Sequence, residues 1–171
     1  QITLENPPEG ELEAFLEVYR KMGGQYKGNS GKLLVNGEHV QKPVELLETA
    51  VYPGFPTDLQ SPVMAVLATV KGRSCIRENV FEDRYKAAQQ LVKMGADIRV
   101  QGKEAVIHGG KELHGAIVTA WELRGGAALI LGALCVKGVT VLDGYSYVQR
   151  GYEHICQDLN TLGAAVKRMQ E

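Results

Sequence analysis

The chain has 171 residues, enough for one folded domain or two small ones, and its 44% hydrophobic and 23% charged residues are typical of a globular protein. Its 19 basic and 20 acidic residues give a net charge of −1, so no basic field is present for nucleic acid or a membrane surface. The longest apolar run, residues 127–136, is half the length of about 20 residues that a bilayer span needs. We therefore expect no nucleic-acid partner and no membrane partner.

The cysteines and histidines predict neither a disulfide framework nor a metal site. Cys75, Cys135 and Cys156 are odd in number and form no Cys-x-x-Cys pair, which indicates small buried thiols in a reduced, cytoplasmic chain. His108 and His114 flank a glycine-rich turn and lack the four-residue spacing of zinc ligands on a helix. We expect no bound metal and no cofactor.

Two kinds of helix are predicted along the chain. Residues 12–22 and 152–162 carry apolar side chains three and four positions apart, which is the pattern of a helix that buries one face. Residues 63–70 and 127–136 are apolar all round, so we expect these two helices to be buried on every side.

Two hairpins complete the predicted elements. Residues 96–110 are typical of a strand, a turn and a strand, and residues 24–37 are a weaker copy of that pattern. The repeating order is then strand, buried helix, strand, amphipathic helix and hairpin, which is a βαβαββ unit.

A recurring pattern of helix end, glycine and strand divides the chain. It occurs at Gly23, Gly95 and Gly163, which are 72 and 68 residues apart, and a second pattern recurs at Gly72 and Gly138, 66 residues apart. Glycine suits the residue after a helix because the left-handed conformation there disfavours a Cβ. A period of about 70 residues predicts compact α/β units and not a short solenoid repeat.

The repeat predicts where the units begin and end. Two units fit from Pro43 onward, as residues 43–110 and 111–171, and the second lacks a closing strand. Residues 1–42 fit the tail of an earlier unit, so about two and a half units are expected. Because the chain begins at Gln1, we also expect it to be a piece of a longer protein.

Three arginines lie near predicted helix starts. Arg84 and Arg150 are 66 residues apart, ahead of the amphipathic helices, and Arg124 is at the start of the second buried helix. The first N–H groups of a helix attract anions, and the arginine fork pairs with phosphate or carboxylate through two hydrogen bonds. One interpretation is therefore a shared anion site. The alternative is that each arginine pairs with a neighbouring glutamate: Glu82, Glu122 or Glu153.

Asp58 lies at the end of a proline-rich loop, in the stretch YPGFPTDLQ of residues 52–60. Prolines on both sides of Phe55 restrict the backbone and remove N–H groups that a sheet would use. A lone carboxylate then precedes the first buried helix, which suggests a functional acid. The alternative is that Asp58 is only a helix N-cap, the most common role of aspartate at such a position.

The stretches YPGFPTDLQ, FEDRY, KMGADI, ELRGGAAL, RGYEHI and LGAAVKR occur in this order along the chain. In them the sequence resembles the UDP-N-acetylglucosamine 1-carboxyvinyltransferase family over essentially all 171 residues, as the C-terminal part of such an enzyme. The resemblance implies an α/β (α+β) fold, namely an inside-out α/β barrel domain built from repeated βαβαββ units.

The resemblance also implies a reaction and its partners. In this family the 3-hydroxyl of UDP-N-acetylglucosamine attacks phosphoenolpyruvate, a tetrahedral adduct forms, and phosphate leaves, which is the first committed step of peptidoglycan synthesis in the cytoplasm. The family's proton-donating cysteine and a Lys-Asn pair belong to another, N-terminal domain that this chain lacks. We therefore expect the isolated chain to be inactive, and to form dimers through the apolar face that a truncated unit exposes.

The resemblance assigns roles to six residues in substrate binding: Asp58, Val80, Arg84, Glu122, Arg124 and Arg150. Asp58 matches an essential aspartate that contacts the 3-hydroxyl and is a proposed base, and a stiff loop would hold it in place. Val80 matches a backbone contact to the sugar nucleotide. Arg124 and the catalytic Arg150 match arginines that face phosphoenolpyruvate or phosphate, where oriented cations stabilise the adduct.

Two rival functions stay open at this point. The sister enzyme, 5-enolpyruvylshikimate-3-phosphate synthase, shares the fold and the phosphoenolpyruvate chemistry, but the stretches PGFPTD and RGYE argue against it. A non-catalytic paralogue that binds a sugar nucleotide is favoured by Glu122 and Gln149, because the family usually has aspartate at both positions.

Overall fold

The computed structural model describes residues 1–169, so the last two residues of the predicted unit 111–171 lie outside the described part. Five elements precede residue 37, and the three strands among them form the first sheet. These are β1 (Ile2–Glu5), a 3₁₀ turn (Glu9–Glu11), α1 (Glu13–Lys21), β2 (Gln25–Asn29) and β3 (Lys32–Asn36). The strand order is β1-β3-β2, all antiparallel. The predicted helix and hairpin are confirmed, whereas β1 was not predicted because four exposed residues show too little pattern.

The middle part of the chain contains a complete set of βαβαββ elements, and its four strands form the middle sheet. They are β4 (Leu47–Glu48), a 3₁₀ turn (Thr57–Leu59), α2 (Gln60–Thr69), β5 (Gly72–Arg77), α3 (Lys86–Lys93), β6 (Asp97–Gln101) and β7 (Glu104–Gly109). The strand order is β4-β5-β7-β6, in which β4 and β5 are parallel and the other neighbours are antiparallel. The predicted order of elements is confirmed here.

The remaining elements form a two-stranded parallel sheet and three helices. They are β8 (Ile117–Thr119), α4 (Leu123–Leu134), β9 (Val141–Asp143), α5 (Tyr145–Gln149) and α6 (Ile155–Thr161). The helix predicted at residues 152–162 begins only at Ile155, because the preceding residues form a turn after α5. The unit boundaries after residues 42 and 110 stay a prediction.

The core lies around two helices, α2 and α4, which pack side by side. Gly126 permits close packing on α4, because a Cβ there would overlap the side chain of Val148. Helix α2 buries residues on all its faces, including Val63, Met64 and Leu67, which confirms the prediction for that helix.

The same prediction is wrong for α4. Leu131 is 36% exposed and Leu134 is 44% exposed, so one face of the C-terminal part of this helix is open, although Gly132 on the same turn is buried next to Leu91 and Met94. Cys135, which follows α4, is exposed, so the expectation of three buried thiols is also wrong. Cys75 is buried as predicted, and Cys156 is half-buried.

The helix-ending glycines have the backbone conformation that their spacing predicts. Gly23, Gly95 and Gly163 have φ angles of +101°, +96° and +96°, which is the left-handed region. None of the helices within residues 1–169 is long and apolar enough to cross a membrane.

Candidate active site

An open cleft of about 390 Å³ lies between the start of α1 and the loops that precede α2 and α3. Its walls come from the segment at the start of α1, the proline-rich loop before α2, and the loop between β5 and α3. Three charged side chains of interest line it: Asp58, Arg84 and Arg124. Among the described residues, His, Cys, Asp and Glu side chains form no group of three or more that could hold a metal ion.

Asp58 is held by an arginine and not by its own helix. It lies in the 3₁₀ turn that leads into α2, and the residue at the α2 N-cap, Leu59, makes no side-chain capping bond. Arg124 Nε donates to Asp58 Oδ1 at 2.7 Å, and Arg124 Nη2 donates to Oδ2 at 2.9 Å. This is the two-bond pairing of a guanidinium with a carboxylate. The N-cap interpretation of Asp58 is therefore wrong.

Arg84 lies on the other side of the same carboxylate. Its Nη2 is 3.8 Å from Asp58 Oδ1, and its guanidinium carbon lies 4.5 Å from the centre of the Phe81 ring. The side chain of Arg84 is only 19% exposed, because it lies on the ring as well as in the cleft. Arg84 and Arg124 thus share Asp58 as their ionic partner, and the interpretation that they pair with neighbouring glutamates is wrong.

The bonds to Asp58 stabilise the charged form of Arg124. They raise its pKa above the usual value, although partial burial acts in the opposite direction. The side chain of Arg124 is 35% exposed and that of Asp58 is 54% exposed. Both groups are therefore open to a ligand that enters the cleft.

Glu122 caps α4 and does not line the cleft. Its carboxylate accepts the backbone N–H of Arg124 at 3.0 Å and also the N–H of Gly125. These bonds satisfy two of the free N–H groups at the start of the helix, so Glu122 fixes the backbone from which Arg124 projects. A contact between Glu122 and a substrate stays a prediction.

Arg150 is exposed and lies outside the cleft lining. It is the C-cap of the short helix α5 and comes before a turn, so the prediction that it begins an amphipathic helix is wrong. The next residue, Gly151, lies against the side chain of Leu123 at the start of α4. Two of the three predicted cations are therefore together in the cleft, and Arg150 is on an adjoining segment.

Sequence reasoning missed the residue that connects these segments, Glu78. The residue is 2% exposed, and its carboxylate accepts hydrogen bonds from Thr49, Thr57 and the backbone of Val80. The only signal in the sequence is that a charged residue directly follows a strand with buried residues. This pattern does not show which residues Glu78 binds.

The site can do two things chemically. A carboxylate that projects from a loop with two prolines can accept a proton from a bound hydroxyl group. Two guanidinium groups beside it can bind phosphate or carboxylate and can stabilise negative charge that develops during a reaction.

Comparison with known proteins finds relatives that match nearly the whole chain. The family model described as EPSP synthase (3-phosphoshikimate 1-carboxyvinyltransferase) matches residues 1–159. Curated relatives named UDP-N-acetylglucosamine 1-carboxyvinyltransferase include one from Desulfofundulus thermocisternus, 41% identical over 98% of this chain. One from Koribacter versatilis is 39% identical over 99%, and one from Campylobacter lari is 41% identical over 100%.

Solved structures confirm the predicted fold. The enolpyruvyl transferase NikO from Streptomyces tendae superposes with a TM-score of 0.81 at 28% identity, over 91% of this chain and 36% of that one. EPSP synthase from Acinetobacter baumannii has a TM-score of 0.71 at 19% identity, over 98% of this chain and 39% of that one, and supports the fold alone.

The chain covers only part of most of these proteins. It spans 68% of the relative from D. thermocisternus, but 39% and 41% of those from K. versatilis and C. lari. The family match nevertheless extends over residues 1–159, through both α2 and α4 and the residues of the cleft. The chain belongs to the EPSP synthase (3-phosphoshikimate 1-carboxyvinyltransferase) family, whose members here are enolpyruvyl transferases.

Proposed function

We propose that this chain is part of an enzyme that transfers the enolpyruvyl group of phosphoenolpyruvate to the 3-hydroxyl of UDP-N-acetylglucosamine and releases phosphate. The relatives from three bacteria carry the name of that reaction at 39–41% identity over nearly the whole chain. The observation that carries the proposal is the carboxylate of Asp58 between Arg84 and Arg124 in the cleft.

In this proposal Asp58 accepts the proton of the attacking hydroxyl group, while Arg84 and Arg124 bind the negative charge of phosphoenolpyruvate or phosphate. An exposed ion pair contributes only about 0–1 kcal/mol, so an anionic substrate can compete with Asp58 for Arg124 at little cost. Opening the pair would release the carboxylate to face the acceptor hydroxyl. Binding of the anionic substrate to Arg124 would therefore free the carboxylate of Asp58 to act as the base.

Three further residues are part of the proposal, two as substrate contacts and one through its effect on α4. The N–H of Val80 donates to Glu78 at 2.8 Å, so the carbonyl of Val80 is the backbone group that we assign to the sugar nucleotide. Arg150 would meet the phosphoryl group only when the rest of the site forms around the substrates. Glu122 would act mainly through the start of α4, with the backbone N–H of Arg124 bound to its carboxylate.

The cellular role follows from the reaction. We propose that the complete enzyme acts in peptidoglycan synthesis, in the cytoplasm, and needs no cofactor. The chain spans 39% and 41% of two of the named relatives, and we propose that the remaining catalytic groups lie in the part that is not matched. The isolated chain should then bind anions but release no product.

The test is phosphate release by a completed protein. The chain is joined to the part of the K. versatilis relative that lies outside the match, and UDP-N-acetylglucosamine and phosphoenolpyruvate are added. We expect release by the completed protein, none from its Asp58→Ala variant and none from the isolated chain.

Two other results would contradict the proposal. Activity with shikimate 3-phosphate in place of the nucleotide sugar would favour the reaction for which the family model is named. Inactivity with both acceptors, together with tight binding of the sugar nucleotide, would favour a non-catalytic paralogue. Restoring aspartate at Glu122 and Gln149 would then test whether those two residues caused the loss.

A further inference from the structure

A buried carboxylate lies behind the cleft and is not used by the proposed chemistry. Glu78 follows β5, and its side chain is enclosed, with 2% of the residue exposed. A charge in such a place needs hydrogen-bond donors on all sides. The donors to Glu78 come from the two segments that form opposite walls of the cleft.

The two oxygens of Glu78 bind both ends of the proline-rich loop. The hydroxyl of Thr49, at the end of β4, donates to Oε1 at 2.8 Å. The hydroxyl of Thr57, which directly precedes Asp58, donates to Oε2 at 2.8 Å. The two ends of the loop that forms one wall of the cleft are thus hydrogen-bonded to the same carboxylate.

The same carboxylate fixes the opposite wall of the cleft. The backbone N–H groups of Val80 and Phe81 donate to Glu78 Oε1 at 2.8 and 3.1 Å. Burial alone would raise the pKa of Glu78, but these bonds and those from Thr49 and Thr57 outweigh it and hold the pKa below its usual value. Glu78 is therefore bound as a carboxylate.

The following unit forms without a carboxylate at the equivalent place. Gly72 and Gly138 mark equivalent positions of two units, and the residue equivalent to Glu78, 66 positions further on, is Gly144. Gly144 follows β9 in the left-handed conformation, with φ of +78°, and the following unit still forms its helices. Of these two units, only the one that carries Asp58 has a carboxylate at this position.

We propose that Glu78 is a positioning residue, which acts through Thr57 to hold Asp58 in the orientation that proton transfer requires. This inference rests on the proposed function, because it assigns Glu78 to the same reaction. A shift of about 1 Å in a reacting group can lower a rate by about 100-fold, so a loop held at both ends has a direct catalytic effect.

The test removes one hydroxyl group from the loop. Thr57→Val breaks the bond to Glu78 and keeps the shape, while Thr57→Ser restores the hydroxyl. Thr69→Val is the matched control, because Thr69 is also half-buried and its hydroxyl donates to the carbonyl of Val66 at 2.7 Å, at the other end of α2. Thermal unfolding of each variant gives a temperature at which all of them are folded, and the measurements are made there. If the extra methyl group of Thr57→Val prevents folding, Thr57→Ala takes its place.

The first readout uses the 171-residue chain and needs no activity. The Nε–H of Arg124 donates to Asp58, so its proton resonance in an ¹H–¹⁵N spectrum should be shifted and slow to exchange. We expect Thr57→Val to lose this signature and both Thr57→Ser and Thr69→Val to keep it. An unchanged Arg124 resonance in Thr57→Val would overturn the positioning role.

The second readout is the steady-state rate of the completed protein. We expect Thr57→Val to lower kcat by about 10- to 100-fold while KM for phosphoenolpyruvate changes by less than about threefold, because Arg84 and Arg124 remain. Thr57→Ser should recover most of the rate. Equal rates for Thr57→Val and Thr69→Val would overturn the inference. A completed wild-type protein without phosphate release would refute the proposed function instead, and the Arg124 spectrum would still decide the role of Glu78.

Discussion

Arg124 and Asp58 are 66 residues apart in the sequence, yet they meet through two hydrogen bonds of 2.7 and 2.9 Å. The distance of 66 residues is one period of the repeat that Gly72 and Gly138 define. Because α2 and α4 pack side by side, the equivalent ends of two consecutive units lie together. The repeat therefore places a carboxylate and a guanidinium in contact without any long connection between them.

The first prediction concerns competition at this pair. Asp58→Asn removes the negative charge beside Arg84 and Arg124, so inorganic phosphate should bind the isolated chain about two- to fivefold more tightly. Calorimetric titration at low salt measures this affinity. Asp83→Asn is a matched control, because Asp83 pairs instead with Lys86 at 3.0 Å and its side chain is 76% exposed. Equal affinities for the two variants would mean that Asp58 does not compete for the anion.

The second prediction concerns the start of α4. Glu122→Ala leaves the N–H groups of Arg124 and Gly125 without their partner, which should lower the free energy of unfolding by about 1 kcal/mol. Glu122→Asp should preserve stability, since aspartate is among the preferred N-cap residues. Urea denaturation measures both values. Glu112→Ala serves as a control at an exposed site, and a loss of the same size there would exclude a capping role for Glu122.

The third prediction concerns acid stability. Hydrogen bonds hold the pKa of Glu78 below its usual value of 4.5, so its stabilising effect is complete above pH 4.5 and disappears as the pH falls through the lower, folded value. Glu78→Gln should therefore lower the free energy of unfolding by about 1–3 kcal/mol at pH 7. The difference from the wild type should shrink as the pH falls from 4.5 to 3.

The control for this series is Glu82→Gln, at an exposed glutamate of the neighbouring loop. Urea denaturation at each pH gives the free energy of unfolding for all three proteins. If the loss in Glu78→Gln were the same at pH 3 as at pH 7, the carboxylate would have no preference for its charged form in the folded protein.

The sequence predicts the elements better than the contacts of the site. The helical spacing of apolar residues predicts α1, the continuous apolar run predicts α2, and the glycine spacing predicts the period of the units, because all three are local patterns. The predicted helix starts suggest Arg84 and Arg124 as parts of one anion site, and the resemblance to a known family adds Asp58 to them. Their contacts depend on how α2 and α4 pack, which no local pattern encodes.

Glu78 and α4 show the same limit. The partners of Glu78 lie 29 and 21 residues away, on segments that approach it only in the folded chain. The apolar run of α4 predicts burial correctly for Leu129, which is 1% exposed, but not for Leu134. A hydrophobic pattern indicates that a helix can be buried, and the presence of a covering element decides whether it is.

The last prediction concerns the uncovered face at the C-terminal end of α4. Leu131 and Leu134 are 36% and 44% exposed, and because they are three residues apart on the helix they are neighbours on its surface, which favours association. We expect the isolated chain to self-associate as its concentration rises. Light scattering after gel filtration measures the mass.

A single charge should be enough to prevent this association. Leu134→Glu places a carboxylate in the middle of the apolar face, so the mass should return to that of a monomer of 18.7 kDa. Leu46→Glu is the matched control, because Leu46 is 43% exposed and lies before β4, where it lines a groove with Glu13 and Glu17 of α1. A wild-type chain that stays monomeric at millimolar concentration would contradict the prediction. Loss of association in both variants would show that net charge, and not this face, controls it.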